Sequence, residues 1–148
     1  MKSLIIILLA VSITACTTTS NSTKKITILS ENVGKKITTI YNYYGKNEYK
    51  KALNLANKLA PKTAYDRAYV LRVIGMIHLA KGESTEAIYY LKTAVDLNLL
   101  GSTDQKHALK TLGNTYLTNG NTEQGQIYLK KAAEFQVPPN NRHEKLEN

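Results

Sequence analysis

Side chains able to do covalent or metal chemistry are few in this chain. Its 148 residues hold one cysteine, Cys16, and three histidines, His78, His107 and His143. The histidines are far apart, and none has a cysteine, a second histidine or a paired carboxylate at ligand spacing. No serine stands in a nucleophile-elbow sequence, and no glycine-rich phosphate loop is present. Gly75, Gly82, Gly113 and Gly120 stand where helix packing and turns ask for glycine. A lone thiol also excludes an intrachain disulfide. The expectation is a chain that is not an enzyme and takes no cofactor or metal. Function is then a matter of binding, and the elements decide which side chains reach a partner.

The stretch from Arg67 to Leu97 predicts two amphipathic helices hinged at Lys81-Gly82. Ala68, Leu71, Ile74, Gly75, His78 and Leu79 form the stripe of the first. Ala87, Ile88, Leu91, Ala94, Val95 and Leu97 form that of the second, with Glu86, Lys92 and Asp96 opposite. Gly75 costs about 1 kcal/mol against alanine inside a helix, which implies close approach of a neighbouring helix. The same spacing returns 38 residues on, in Leu109, Leu112, Gly113, Tyr116 and Gly120. It also appears 35 residues back, where Asn47 to Ala52 matches Gly82 to Ala87. Leu29, Val33, Ile37, Ile40 and Tyr44 predict a helix before that turn, and Glu48 to Ala60 one after it, stopped by Pro61. Thr63-Ala64-Tyr65-Asp66 reads as a helix-capping signal, and Ser102-Thr103-Asp104-Gln105 as a second. The extra residues between the second and third copies fall at Leu99 to Ser102, in a loop. Neither helix of a pair can hide its stripe alone, so the pairs must stack.

This grammar resembles the tetratricopeptide repeat, a helix-turn-helix unit of about 34 residues with L-G-x2-Y and a later A-x3-F. The resemblance implies an all-α fold: three repeats, near 33–62, 68–99 and 106–137, stacked as a short right-handed solenoid within a domain spanning 26–137. The first repeat has Thr39-Ile40 where the family has L-G, Gly125 replaces the usual alanine, and no repeat has the family's tryptophan. His78 falls on the repeat's tyrosine position, which assigns it to packing. In this family the first helix of each pair lines a concave groove that receives a peptide or a helix. Carried over by position, that face would hold Tyr41, Tyr44, Tyr69, Arg72, Met76, His107, Lys110 and Asn114. Aromatic, Met and Arg side chains suit binding because they supply area with limited entropic loss. Arg72, Lys110 and Asn114 resemble part of a clamp that grips a peptide's C-terminal carboxylate. Ile127, Tyr128, Phe135 and Val137 lack an evident covering helix, so a partner or a second copy of the chain could dock on the last repeat.

The first 15 residues read as targeting rather than fold. Lys2 precedes an apolar run from Leu4 to Ile13, too short to span a bilayer, which needs about 20 residues. Ile13-Thr14-Ala15-Cys16 resembles the lipobox of bacterial lipoproteins. That implies a cleaved signal peptide at 1–15 and an acylated Cys16 as anchor, with several acyl chains holding the chain to a membrane. Thr17, where an acidic residue would retain such a protein in the inner membrane, implies the periplasmic face of the outer membrane. Residues 16–25 would be the lipidated cysteine and a tether, and 138–148 a polar tail after Pro138-Pro139.

Composition bounds the rest. Without the signal peptide the chain keeps 19 basic and 11 acidic residues, a net charge of about +8. An exported lipoprotein rarely meets nucleic acid, so anionic lipid, cell-wall polymer or an acidic protein are the partners such a charge suits. The leading expectation is a membrane-anchored, non-catalytic adaptor that holds an envelope protein or peptide in its groove, as an accessory to envelope assembly or to a TonB-type transport system. The alternatives are a spacer that self-associates through its last repeat, and a basic module for cell wall or anionic lipid.

Overall fold

The computed structural model describes residues 28–137, and all the regular structure in them is helical. The helices are α1 (Glu31–Gly45), α2 (Tyr49–Asn57), α3 (Ala64–Ala80), α4 (Ser84–Asp96), α5 (Ser102–Thr118) and α6 (Thr122–Glu134). The expected signal peptide, Cys16, the expected tether and tail, Ile26 and His143 lie outside the described residues. No described helix is long and apolar enough to cross a membrane.

The three pairs are copies at the level of backbone geometry. Each turn within a pair has its left-handed residue at the same place: Asn47 (φ 60), Gly82 (φ 79) and Gly120 (φ 83). Each is closed by the same backbone bond across the turn, Glu48 N–H to Tyr43 O, Glu83 N–H to His78 O and Asn121 N–H to Tyr116 O, at 2.9–3.0 Å. These bonds satisfy carbonyls that a helix C-terminus leaves open. Asparagine serves in the first turn because it enters the left-handed region more readily than other side chains. The aromatic stacks repeat too. His78 lies flat on Tyr90 with ring centroids 5.2 Å apart, and Tyr116 on Tyr128 at 5.5 Å. His78 is a packing residue, with Nδ1 2.7 Å from Glu83 Oε2 just past the hinge.

Close approach explains Gly75. A Cβ there would stand 2.8 Å from Leu91 Cγ and 3.0 Å from the Leu91 backbone nitrogen. The first pair solves the same crossing the other way round: Ile40 stands at the Gly75 position and Ala56 at the Leu91 position, and both are buried in one core cluster. A large side chain on one helix faces a small one on the other in either case. That exchange is why the first pair manages without the L-G motif.

The core is two clusters sharing α3. Val33, Ile37, Ile40, Ala52, Ala56 and Leu59 of the first pair meet Val70, Val73, Ile74 and Ile77 of α3. Ala68 of α3 joins Leu91, Val95, Leu100, Leu109, Leu112 and Tyr128 in the second. Each large side chain so buried contributes about 1.5–3 kcal/mol. This corrects the single stripe expected for α3. Leu71 and Leu79 are only half-buried, whereas Val70, Val73 and Ile77 are buried. A middle helix is packed on two sides, so its apolar residues do not collect on one.

Smaller boundaries also differ. Leu29 precedes α1 and packs on the first cluster from outside the helix. α2 ends at Asn57, three residues short of Ala60, since Leu59 turns inward. At α3 the expected cap is present, with Thr63 Oγ1 accepting from Asp66 N–H at 3.0 Å. At α5 it is not: Gly101 is the cap residue, no side chain caps the helix, and Gln105 Nε2 instead donates to the Val95 carbonyl at 2.8 Å. Tyr128 is buried and Phe135 packs on the second cluster, so at the last repeat only Ile127 and Val137 of the four stand exposed.

Candidate partner-binding surface on the first helices

Arg72 is the residue around which the candidate surface is built. It sits midway along α3 and is only 7% exposed. Its Nη2 donates to the Tyr41 hydroxyl on α1 at 3.3 Å and pairs with Asp104 Oδ1 on α5 at 3.1 Å. The guanidinium carbon lies 4.6 Å from the Tyr69 ring centroid, a cation–π contact within α3. Tyr65, one turn earlier, places its ring 6.2 Å from that of Tyr69. One side chain therefore ties together the first helices of all three pairs and contacts two tyrosines, with Tyr65 joined to it through Tyr69.

Charge inside the cluster is balanced. Burial is the main force pushing the Tyr41 hydroxyl above its ordinary range; Arg72 pulls it down without cancelling the effect. Burial, then the Asp104 carboxylate, raise Tyr65 likewise. Both phenols stay protonated at neutral pH and present neutral, donor-bearing rings. Arg72 itself is committed, since its charge is answered by Asp104. A carboxylate clamp of the kind expected from its type and position would have to compete with that pair for Nη2. The guanidinium orients neighbours here, and a free peptide C-terminus would have to displace a partly buried ion pair to reach it.

Asp104 owes its role to the loop before α5. It stands 38 residues after Asp66, at the same place in the repeat. Asp66 is buried and serves the cap of its own helix, accepting also from Ser30 N–H at the start of α1 at 3.0 Å. At the third repeat Gly101 replaces Thr63, so no capping box closes, and the carboxylate reaches back to Arg72 instead. Both acids thus tie a repeat to the one before it, by different bonds.

The other expected residues fall in different places. Tyr44 packs against Tyr49 of α2 with ring centroids 5.6 Å apart, inside the first pair. Met76 is half-buried on the second cluster. His107, Lys110 and Asn114 are exposed along α5. Tyr65 and Asp104 were missed as site residues because both read as helix-start residues. The signal that could have found Asp104 was its equivalence to Asp66 without a threonine three residues before it.

A family model described as the SusR N-terminal TPR domain matches residues 18–148. No curated protein matches the chain.

Proposed function

The chain belongs to the SusR N-terminal TPR domain family, a repeat fold that serves as a protein–protein interaction scaffold, and from that premise we propose that it is a non-catalytic adaptor for a protein partner. The partner is an extended segment or helix of an envelope protein, lying across α1, α3 and α5. The observation that carries this reading is the Arg72 cluster, which holds Tyr41 and Tyr69 directly and Tyr65 through Tyr69 as a pre-ordered neutral surface on α1 and α3, tied to α5 by Asp104. Aromatic rings already fixed before binding lose little entropy on contact. His107, Lys110 and Asn114 extend the contact along α5 with polar groups. In this proposal Cys16 carries the lipid anchor at the periplasmic face of the outer membrane. The adaptor then serves an envelope assembly or TonB-type transport system.

The test is co-purification from detergent-solubilised membranes. Native protein is compared with a Tyr41→Ala, Tyr65→Ala pair and with a Lys110→Ala, Asn114→Ala pair, each first shown to keep its helical circular dichroism. The tyrosine pair is expected to retain at least about tenfold less partner, the size of effect that anchor residues give. The polar pair should weaken retention less. Equal retention by all three chains would remove the binding surface from the first helices.

A further inference from the structure

The net charge of the described chain is concentrated in the first helix pair. Residues 28–62 hold seven lysines against two glutamates, a net of +5. Residues 63–137 hold eight basic against seven acidic residues, a net of +1. Two of the seven lysines are answered locally, Lys35 by Glu31 and Lys51 by Glu48. The others have no carboxylate within ion-pair distance among the described residues.

The arrangement of these lysines is specific. Lys46, Lys50, Asn54, Lys58 and Lys62 recur every four residues and all are exposed. Lys50, Asn54 and Lys58 share one outer face of α2, while Lys46 and Lys62 flank it in the turn before and the linker after. The equivalent positions on the fourth helix hold Lys81, Thr85, Tyr89, Thr93 and Leu97, and on the sixth Asn119, Glu123, Ile127, Lys131 and Phe135. The lysine stripe belongs to the first pair alone. Solubility would not require nearly all the surplus charge of the described residues in one helix pair of three.

We infer that this lysine stripe on α2 is a docking face for an anionic lipid bilayer. The inference rests on the proposed Cys16 anchor for its geometry. Residues 17–30 reach at most about 50 Å when fully extended, so a membrane holding Cys16 lies within range of the first pair. Lysines suit a lipid surface because each is a flexible point charge that adapts to mobile headgroups. The stripe contains no aromatic side chain on which nucleic-acid bases could stack, and no glutamate that would repel phosphate. Docked through α2, the domain is held at two points, its acylated end and its first pair.

The test uses the full-length chain in vesicles of phosphatidylcholine, alone or with about one-third phosphatidylglycerol, and reads the rate of lysine acetylation by mass spectrometry. On anionic vesicles at low salt, Lys46, Lys50, Lys58 and Lys62 should react at least about fivefold more slowly than on neutral ones. The protection should vanish near 0.5 M salt, where screening reaches only a few ångströms. Lys106, Lys110 and Lys130 should react equally on both. A Lys46→Glu, Lys50→Glu, Lys58→Glu, Lys62→Glu chain, altered only at exposed positions, should lose the charge-dependent slowing at every lysine that remains. Equal rates at the stripe on both vesicles, or equal slowing at both ends of the domain, would overturn the inference. Release of the chain from neutral vesicles at high salt would strike the anchor instead, and the low-salt footprint on anionic vesicles would still decide the docking face.

Discussion

At the scale of single residues, two acids in the same repeat position show how context assigns chemistry. Asp66 is fully buried, and burial alone would push its carboxyl up. Hydrogen bonds from Ser30 and Thr63 outweigh that and hold it below its usual value. Its bound, charged form therefore stabilises the fold above the unfolded carboxylate value of about 3.9, and the contribution is lost as pH falls below that. Asp66→Asn keeps the shape and removes the charge. Urea unfolding should show it about 1–2 kcal/mol less stable than the native chain at pH 7. The gap should narrow at pH 3, where the carboxyl of the unfolded chain has taken up its proton and the native form's advantage shrinks. A gap of the same size at both pH values would mean that charge has no part in the cap. Asp104, freed from capping, answers Arg72 instead and so shapes the tyrosine surface.

At the scale of elements, the crossing of α3 with α4 depends on size matching. Gly75→Ala would gain about 1 kcal/mol of helix propensity. It would also drive a methyl to within 3.0 Å of the Leu91 backbone, beside a side chain with no exposed surface into which to move. Overpacking of this kind costs about 1–3 kcal/mol, so thermal unfolding should show net destabilisation. Gly45→Ala is the control, because nothing lies within 4 Å of its added methyl and it should be neutral or mildly stabilising. Adding Leu91→Ala to Gly75→Ala moves the second pair toward the arrangement of Ile40 and Ala56. That double variant should lose less than the two single losses added together, as contacting residues do. Strict additivity would show that the leucine does not limit how closely the helices approach.

At the scale of the whole molecule, the three pairs are not equally held. The second and third pairs cross closely at glycine, and α3 is packed on both sides. The first pair has the short α2, no glycine at its crossing and the densest unpaired positive charge. Hydrogen exchange should find α2 opening at lower free energy than α3 or α4, since stability is distributed by local packing. Adding anionic vesicles to the full-length chain should protect α2 selectively under the docking proposal. Uniform exchange across all six helices would instead describe a single cooperative block.

Local rules made much of this protein legible before any fold was seen. The turns at Asn47, Gly82 and Gly120, the pairing of helices, the close approach at Gly75 and the packing role of His78 all follow from residues within a few positions of one another, or from the 35- and 38-residue recurrence. Helix geometry makes neighbours of such residues wherever the chain runs. The surface on α1, α3 and α5 was legible only in part. Tyr41, Tyr69 and Arg72 follow from repeat position, but Tyr65 and Asp104 do not, and nothing along α3 shows that Asp104 pairs with Arg72. Arg72 and Asp104 stand 32 residues apart in sequence, and Arg72 and Tyr41 stand 31 apart. Which acid answers an arginine depends on how three helices stack, and a stripe that reads as one face becomes two when a helix is enclosed. Periodicity along one helix carries no record of its neighbours, so those choices belonged to the tertiary structure.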